Sequence, residues 1–171
     1  VLLFRKDPTP GSDFTTGMPA TIVFGRPAFD DRAFDDDANR LDTPHHIAID
    51  SSNRLYVCDT VKNRIVVYST NVGAGQFPLP NLSITTGTAA TDRLHGPQGI
   101  AIFEGPDSSE IWVADTLSNR MLRYPRYDEL LINPFANSSV PAAAPLAVAF
   151  DSIGNMYMAD RSHRVGFYFP L

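Results

Sequence analysis

Four histidines and a run of aspartates are the side chains of this sequence with the clearest chemical potential. His45 and His46 are adjacent, His95 stands just before Gln98, and His163 lies far along the chain. Three imidazoles and a water make a catalytic zinc site, and the bound water becomes a nucleophile or base near neutral pH. A histidine is equally a polar loop residue that needs no metal. The span from Asp30 to Asp37 offers five aspartates, and hard cations such as calcium want several carboxylate oxygens. Its spacing is not that of an EF-hand loop, and a solvated connecting loop accounts for the same composition. The sequence has no Gly-x-Ser-x-Gly elbow and no glycine-rich loop ending in Lys-Ser or Lys-Thr to cradle phosphate. Cys58 is the single cysteine, which precludes an internal disulfide.

These side chains are positioned by a repeat. Pro44-His45-His46-Ile47-Ala48-Ile49-Asp50 leads to Leu55-Tyr56-Val57-Cys58-Asp59-Thr60 and then to Asn63-Arg64-Ile65-Val66-Val67-Tyr68. The same order returns from Pro97 through Ile111–Thr116 to Asn119–Tyr124, and from Pro145 through Met156–Asp160 to His163–Tyr168. The prolines are 53 and 48 residues apart, and a period of about fifty signals a solenoid, propeller or array. Each apolar run has four to six residues rich in Ile, Val, Tyr and Phe, which suits strands rather than helices. Turn chemistry such as Ser51-Ser52-Asn53 and Asp59-Thr60-Val61-Lys62-Asn63 joins them, and connections this short force antiparallel neighbours. Ala20–Gly25 and Leu82–Gly87 supply a fainter fourth strand, with only a weak counterpart near Ser139-Val140. Four strands per unit of this length is the arithmetic of a propeller blade. The predicted fold is therefore all-β, a β-propeller of four-stranded antiparallel blades forming an incomplete ring.

The meander fixes where the candidate residues lie. The loop before the first strand and the loop after the second open on one edge of each blade. Those loops hold His45, His46, His95, Gln98, Thr60, Lys62, Thr116, Arg161 and His163, so all four histidines are expected on one face. First strands line the channel of a propeller, which puts His45, His46 and His95 nearest the axis. Asp59, Asn63 and Arg64 recur as Asp115, Asn119 and Arg120, and again as Asp160 and Arg164. Residues that recur with the period serve it, here by closing turns and through an ion pair expected between blades. Trp112 aligns with Tyr56 and Tyr157 and is expected to pack between blades. Cys58 aligns with Ala114 and Ala159, as a small buried strand residue would.

Pro-x-Gly-Ile-Ala-Ile, Tyr-Val-x-Asp-Thr and Asn-Arg-Ile in this order resemble the NHL repeat, a β-propeller family. The resemblance covers Thr43–Ser69, Gly96–Tyr124 and Ala144–Tyr168 and is of a bacterial type. It departs where His46 and Ala147 replace the glycine kept at Gly99, where Phe103 replaces the aspartate seen at Asp50 and Asp151, and where His163 replaces the usual asparagine. NHL-like propellers include peptidyl amidating lyases that hold a metal at the axis through histidines of several blades. Other members bind RNA through a basic face, and many are exported or surface-attached, which implies an extracytoplasmic location. On this alignment residues 1–43 hold the last two strands of one blade and an acidic connecting loop. Residues 44–96 and 97–144 are a blade each, and 145–171 are three strands of another.

The strand count is about three and a quarter blades, below the roughly four to eight that close a ring. A homodimer of about six blades, with terminal strands exchanged as one route, answers the exposed edges such an arc would carry. The formal net charge is −5, and Asp30–Asp42 carries −4 of it through six aspartates and two arginines. That balance excludes a general nucleic-acid surface, which needs a basic patch. No stretch approaches the roughly eighteen apolar residues of a membrane-spanning helix. Two function classes follow. The first is a non-catalytic recognition or scaffold propeller that binds a protein, peptide or glycan through His45, His46, His95 and Gln98, without cofactor. The second is a metal-dependent lyase or hydrolase with His45, His46 and His95 at the channel mouth, using zinc, or calcium in a structural site.

Overall fold

In a computed structural model, residues 1–5, 13–30, 37–105 and 108–168 are described. The strands form four antiparallel sheets in chain order. β1 (Leu2–Leu3) pairs with β2 (Ile22–Val23). β3 (Pro44–Ile49), β4 (Arg54–Asp59), β5 (Arg64–Ser69) and β6 (Leu82–Ile84) make the first complete meander. β7 (Pro97–Glu104), β8 (Ser109–Asp115), β9 (Arg120–Pro125) and β10 (Ser138–Pro141) make the second. β11 (Pro145–Phe150), β12 (Met156–Asp160) and β13 (Val165–Tyr168) make the third. These are the blades of a propeller, referred to below as the first, second and third. The strand sequence two, four, four and three is the one the repeat predicts. A single helical turn, α1 (Tyr127–Leu130), was not anticipated. No helix among the described residues is long and apolar enough to cross a membrane.

The blades stack face to face because alternate residues of each strand point to opposite faces. In β4 and β5, Tyr56, Cys58, Ile65 and Val67 point forward into a core shared with Ile100, Ile111, Val113 and Tyr124 of the second blade. Leu55, Val57, Val66 and Tyr68 point back onto Ile22 and Phe24. Both faces are buried, so these strands read as continuous apolar runs rather than alternating ones. Each such side chain contributes about 1.5–3 kcal/mol by leaving water. A third core joins Ala114 and Met121 to Val148, Met156 and Met158 of the third blade. Cys58 is fully buried there, and burial pushes its thiol far above the ordinary range.

Two lower turns are held alike. Asp50 Oδ1 accepts from the Ser52 and Arg54 N–H groups, and its Oδ2 accepts from the Tyr56 hydroxyl at 3.0 Å. Asp151 repeats this with Ile153, Asn155 and the Tyr157 hydroxyl. The second blade has Phe103 and Trp112 in those places, and the indole N–H turns to Glu110 at 3.0 Å.

Candidate functional site

The candidate residues sit on β-bulges. Each first strand slips register at its start, between Pro44 and Ile47, between Pro97 and Gly99, and between Pro145 and Ala147. A bulge leaves its extra residue outside the ladder and re-aims the side chain. His45, His46 and Gln98 occupy these positions, and His95 precedes β7 by two residues. His45, His46, His95 and His163 are all exposed and Gln98 is half-buried. The loop edge carrying all four histidines is thus common to the blades.

The histidines differ in what holds them. His46 Nδ1 lies 3.0 Å from the Ile100 carbonyl oxygen and 3.2 Å from the Ile100 nitrogen, so its ring is engaged with β7. Gly99 stands at the equivalent place in the second blade. A Cβ there would come within 2.5 Å of the Leu146 carbonyl oxygen, so only glycine permits that approach of β7 to β11. Among the described residues, no hydrogen bond holds the side chains of His45, His95 or Gln98. No group of three His, Cys, Asp or Glu side chains among the described residues is gathered as a metal site. Of the acidic span, 31–36 lie outside the described residues, and the Asp37 carbonyl accepts from Lys62 Nζ at 2.8 Å.

Beneath the histidines lies the repeated corner. Asp59 is fully buried, and its Oδ2 accepts from Arg64 Nε at 2.7 Å while Oδ1 accepts from the Asp42 N–H at 2.6 Å. Asp115 does the same with Arg120 and the His95 N–H, at 2.7 and 2.6 Å. Burial pushes the Asp59 carboxyl above the usual carboxylate range, against the pull of Arg64. The ion pair expected between blades therefore lies within a blade, because Asp59 and Arg64 are direct cross-strand partners. The arginine heads then tie down the incoming chain. Arg64 donates to the Ala38 and Arg40 carbonyls, and Arg120 to Asp92 and the Arg93 carbonyl. Desolvation opposes ionisation of Asp92, but hydrogen bonds from Arg120 and Thr88 outweigh it and hold its carboxyl below the usual range.

Asp160 and Arg164 pair at 2.8 Å in the third blade, with the arginine side chain 64% exposed. Asn63 and Asn119 close their turns in the left-handed conformation, at φ 52° and 53°. Each reaches across to the next blade, to the Gly96 and Ala144 N–H groups. These asparagines, and not the ion pairs, make the polar link between blades.

A second concave feature lies on the opposite edge. A groove of about 370 Å³ runs between the second and third blades, lined by Phe103, Trp112, Arg123, Phe150 and Tyr168 among others. Trp112 contacts Phe150 with centroids 6.0 Å apart, so it packs between blades as its alignment implies. Between the first and second blades α1 occupies the corresponding place, with Leu130 buried and the Arg54 guanidinium 4.2 Å from the Tyr127 ring centroid. The only sequence signal for the groove was Phe103 in place of aspartate. Nothing in composition or spacing signalled that His46 would be engaged by a backbone 54 residues away.

Residues 41–68 match the model of the NHL repeat. No curated protein sequence matches the chain. Among solved structures, the chain is similar in fold to the hydrazine synthase of Kuenenia stuttgartiensis. The TM-score is 0.52 at 13% identity, covering 78% of this chain and 32% of that one. Two structures of virginiamycin B lyase from Staphylococcus aureus are also similar. The catalytically inactive form with quinupristin gives a TM-score of 0.43 at 15% identity, over 78% of this chain and 43% of that one. The selenomethionine form gives 0.42 at 12%, over 75% and 42%. The chain spans about a third of the length of the hydrazine synthase chain and under half of the lyase. Repeat, strand order and likeness agree on an arc of NHL-type propeller blades.

Proposed function

We propose that this chain is a recognition scaffold, a rigid propeller arc that binds a protein, peptide or glycan through His45, His46, His95 and Gln98. One observation carries the reading. The exposed imidazoles of His45 and His95 stand at the mouths of rigid strands without hydrogen bonds of their own, while the carboxylates of the same corners are committed. Asp59 and Asp115 are buried against arginines and backbone N–H groups, and Asp42 Oδ1 accepts from the Thr43 hydroxyl at 3.0 Å. That arrangement offers donors, acceptors and flat rings to a ligand, and leaves no carboxylate poised to act with them as acid or base. Binding residues are expected on loops held by a rigid frame. Pairing of two arcs into a ring of about six blades is part of the same proposal.

The test is a peptide array and a glycan array probed with the wild type and with a His45→Ala/His95→Ala variant. A bound class lost in the variant supports the reading. Retention of every wild-type signal in the variant overturns the assignment to this edge. Elemental analysis after dialysis without chelator tests the enzyme alternative. About one zinc per ring, lost in the same variant, would replace recognition with a metal-dependent lyase or hydrolase at the channel mouth.

A further inference from the structure

The two junctions between complete blades use one pair of hydrogen bonds. At the first, the Thr60 hydroxyl donates to the Pro97 carbonyl at 2.6 Å, and the Gly96 N–H donates to Asn63 Oδ1 at 2.7 Å. At the second, the Thr116 hydroxyl donates to the Pro145 carbonyl at 2.6 Å, and the Ala144 N–H donates to Asn119 Oδ1 at 3.0 Å. The outgoing half is a threonine and a left-handed asparagine. The incoming half is a left-handed residue followed by proline, Gly96 at φ 60° and Ala144 at φ 43°.

Each half also exists without its complement among the described residues. The third blade has Arg161 where Thr60 and Thr116 stand, and His163 at φ 61° where the asparagines stand. Both side chains are exposed, and both carry what the position requires: a guanidinium donates and a neutral imidazole nitrogen accepts. The first blade presents the incoming half, Thr43 at φ 54° followed by Pro44, both exposed. The faces flanking the two halves are apolar. Tyr157, Val165 and Phe167 are 39%, 73% and 44% exposed on the forward face of the third blade. Ile47 and Ile49 are 46% and 57% exposed on the back of the first.

We infer that Arg161 and His163 form the outgoing half of a third latch whose incoming half is Thr43 and Pro44 of a second copy. Two copies then close head to tail about a twofold axis, a contact that terminates as a ring rather than a filament. The inference rests on the paired-arc part of the proposal above and names the residues that do the pairing. One rearrangement is required. β1 occupies the place that β13 of the second copy needs, and Val1–Phe4 aligns with Val165–Tyr168. β1 is held to β2 by two residue pairs and leaves Leu2 50% exposed, so β13, paired to its own sheet over four residues, displaces it. β2 then becomes the fourth strand of the incoming blade. Each chain contributes three four-stranded blades, and the ring has about six.

Sedimentation velocity over a concentration series tests this on three proteins: the wild type, Arg161→Ala/His163→Ala, and Arg161→Thr/His163→Asn. Circular dichroism confirms that each is folded. The inference expects a wild-type dimer whose dissociation constant rises about tenfold or more in the alanine pair, as loss of two hydrogen bonds implies. It expects the Thr/Asn pair, which installs the pattern of the internal junctions, to dimerise at least as tightly as the wild type. A dimer unaffected by the alanine pair overturns the latch and leaves the paired arc standing. A wild-type monomer at every concentration overturns both.

Discussion

The Asp59 corner of the first blade and the Asp160 corner of the third share their residues, yet their surroundings are opposite. Asp59 and Arg64 are buried, and the guanidinium spends its remaining donors on two carbonyls of the incoming chain. Asp160 is buried too, but Arg164 lies mostly in solvent and bonds only Asp160. An aspartate and an arginine at a fixed spacing therefore specify the turn, whereas the chain lying over the arginine decides what the pair contributes. A buried pair that loses one partner strands a charge, while an exposed pair competes with water and salt.

Arg64→Ala gives the largest expected effect, a loss of about 3–5 kcal/mol in urea unfolding, because Asp59 is left buried and uncompensated. Arg120→Ala, where the partner is equally buried but the arginine is 15% exposed, costs about 3 kcal/mol by the same assay. Asn63→Ala costs about 1–2 kcal/mol, from the lost bond to Gly96 and the left-handed backbone that alanine resists. Asn63→Gly restores the backbone tolerance and recovers part of that loss. Arg164→Ala leaves the urea midpoint within the scatter of replicates. Unfolding of Arg164→Ala at the same denaturant concentration as Arg64→Ala would break the comparison.

Acid sharpens the contrast by the smallest margin. Desolvation opposes ionisation at Asp160 and Asp151, but hydrogen bonds from Arg164 and from Asn155 respectively outweigh it and hold both carboxyls below the usual range. Each contributes stability that is present above the unfolded-state value near 4 and is lost as pH falls through its lower folded value. Asp59 has the opposite sign, since its raised carboxyl takes up a proton more readily in the folded chain. Carboxyl NMR titration should therefore show Asp59 protonating at a higher pH than Asp160.

The fold was legible because most strands announce themselves by side chain. Tyr56, Val57, Ile65 and Val67 leave little alternative to a doubly buried strand. β10 was faint because Ser138-Ser139-Val140-Pro141 carries one aliphatic residue and pairs through its backbone. α1 is a single turn whose reason for folding is the space under Arg54, a residue of another blade. The placement of the histidines on one edge followed from topology alone. What His46 does there did not, because its partner is the backbone of Ile100 and a backbone leaves no mark in residue type. The Asp59–Arg64 pair was expected between blades because recurrence shows that residues act with the period, not in which direction they reach.

The close approach at Gly99 has a bearing on ring size. At that position the inner strands of the second and third blades nearly touch, and a side chain as small as alanine would force them apart. His46 holds the same station one blade earlier and fills the gap with a ring. With the outer strands at a fixed spacing, a narrow inner gap makes a sharper wedge and a wide one brings neighbouring blades closer to parallel. Bulk at this single station therefore sets how many sectors complete a circle, and a chain that alternates glycine with histidine there draws a curve of uneven radius.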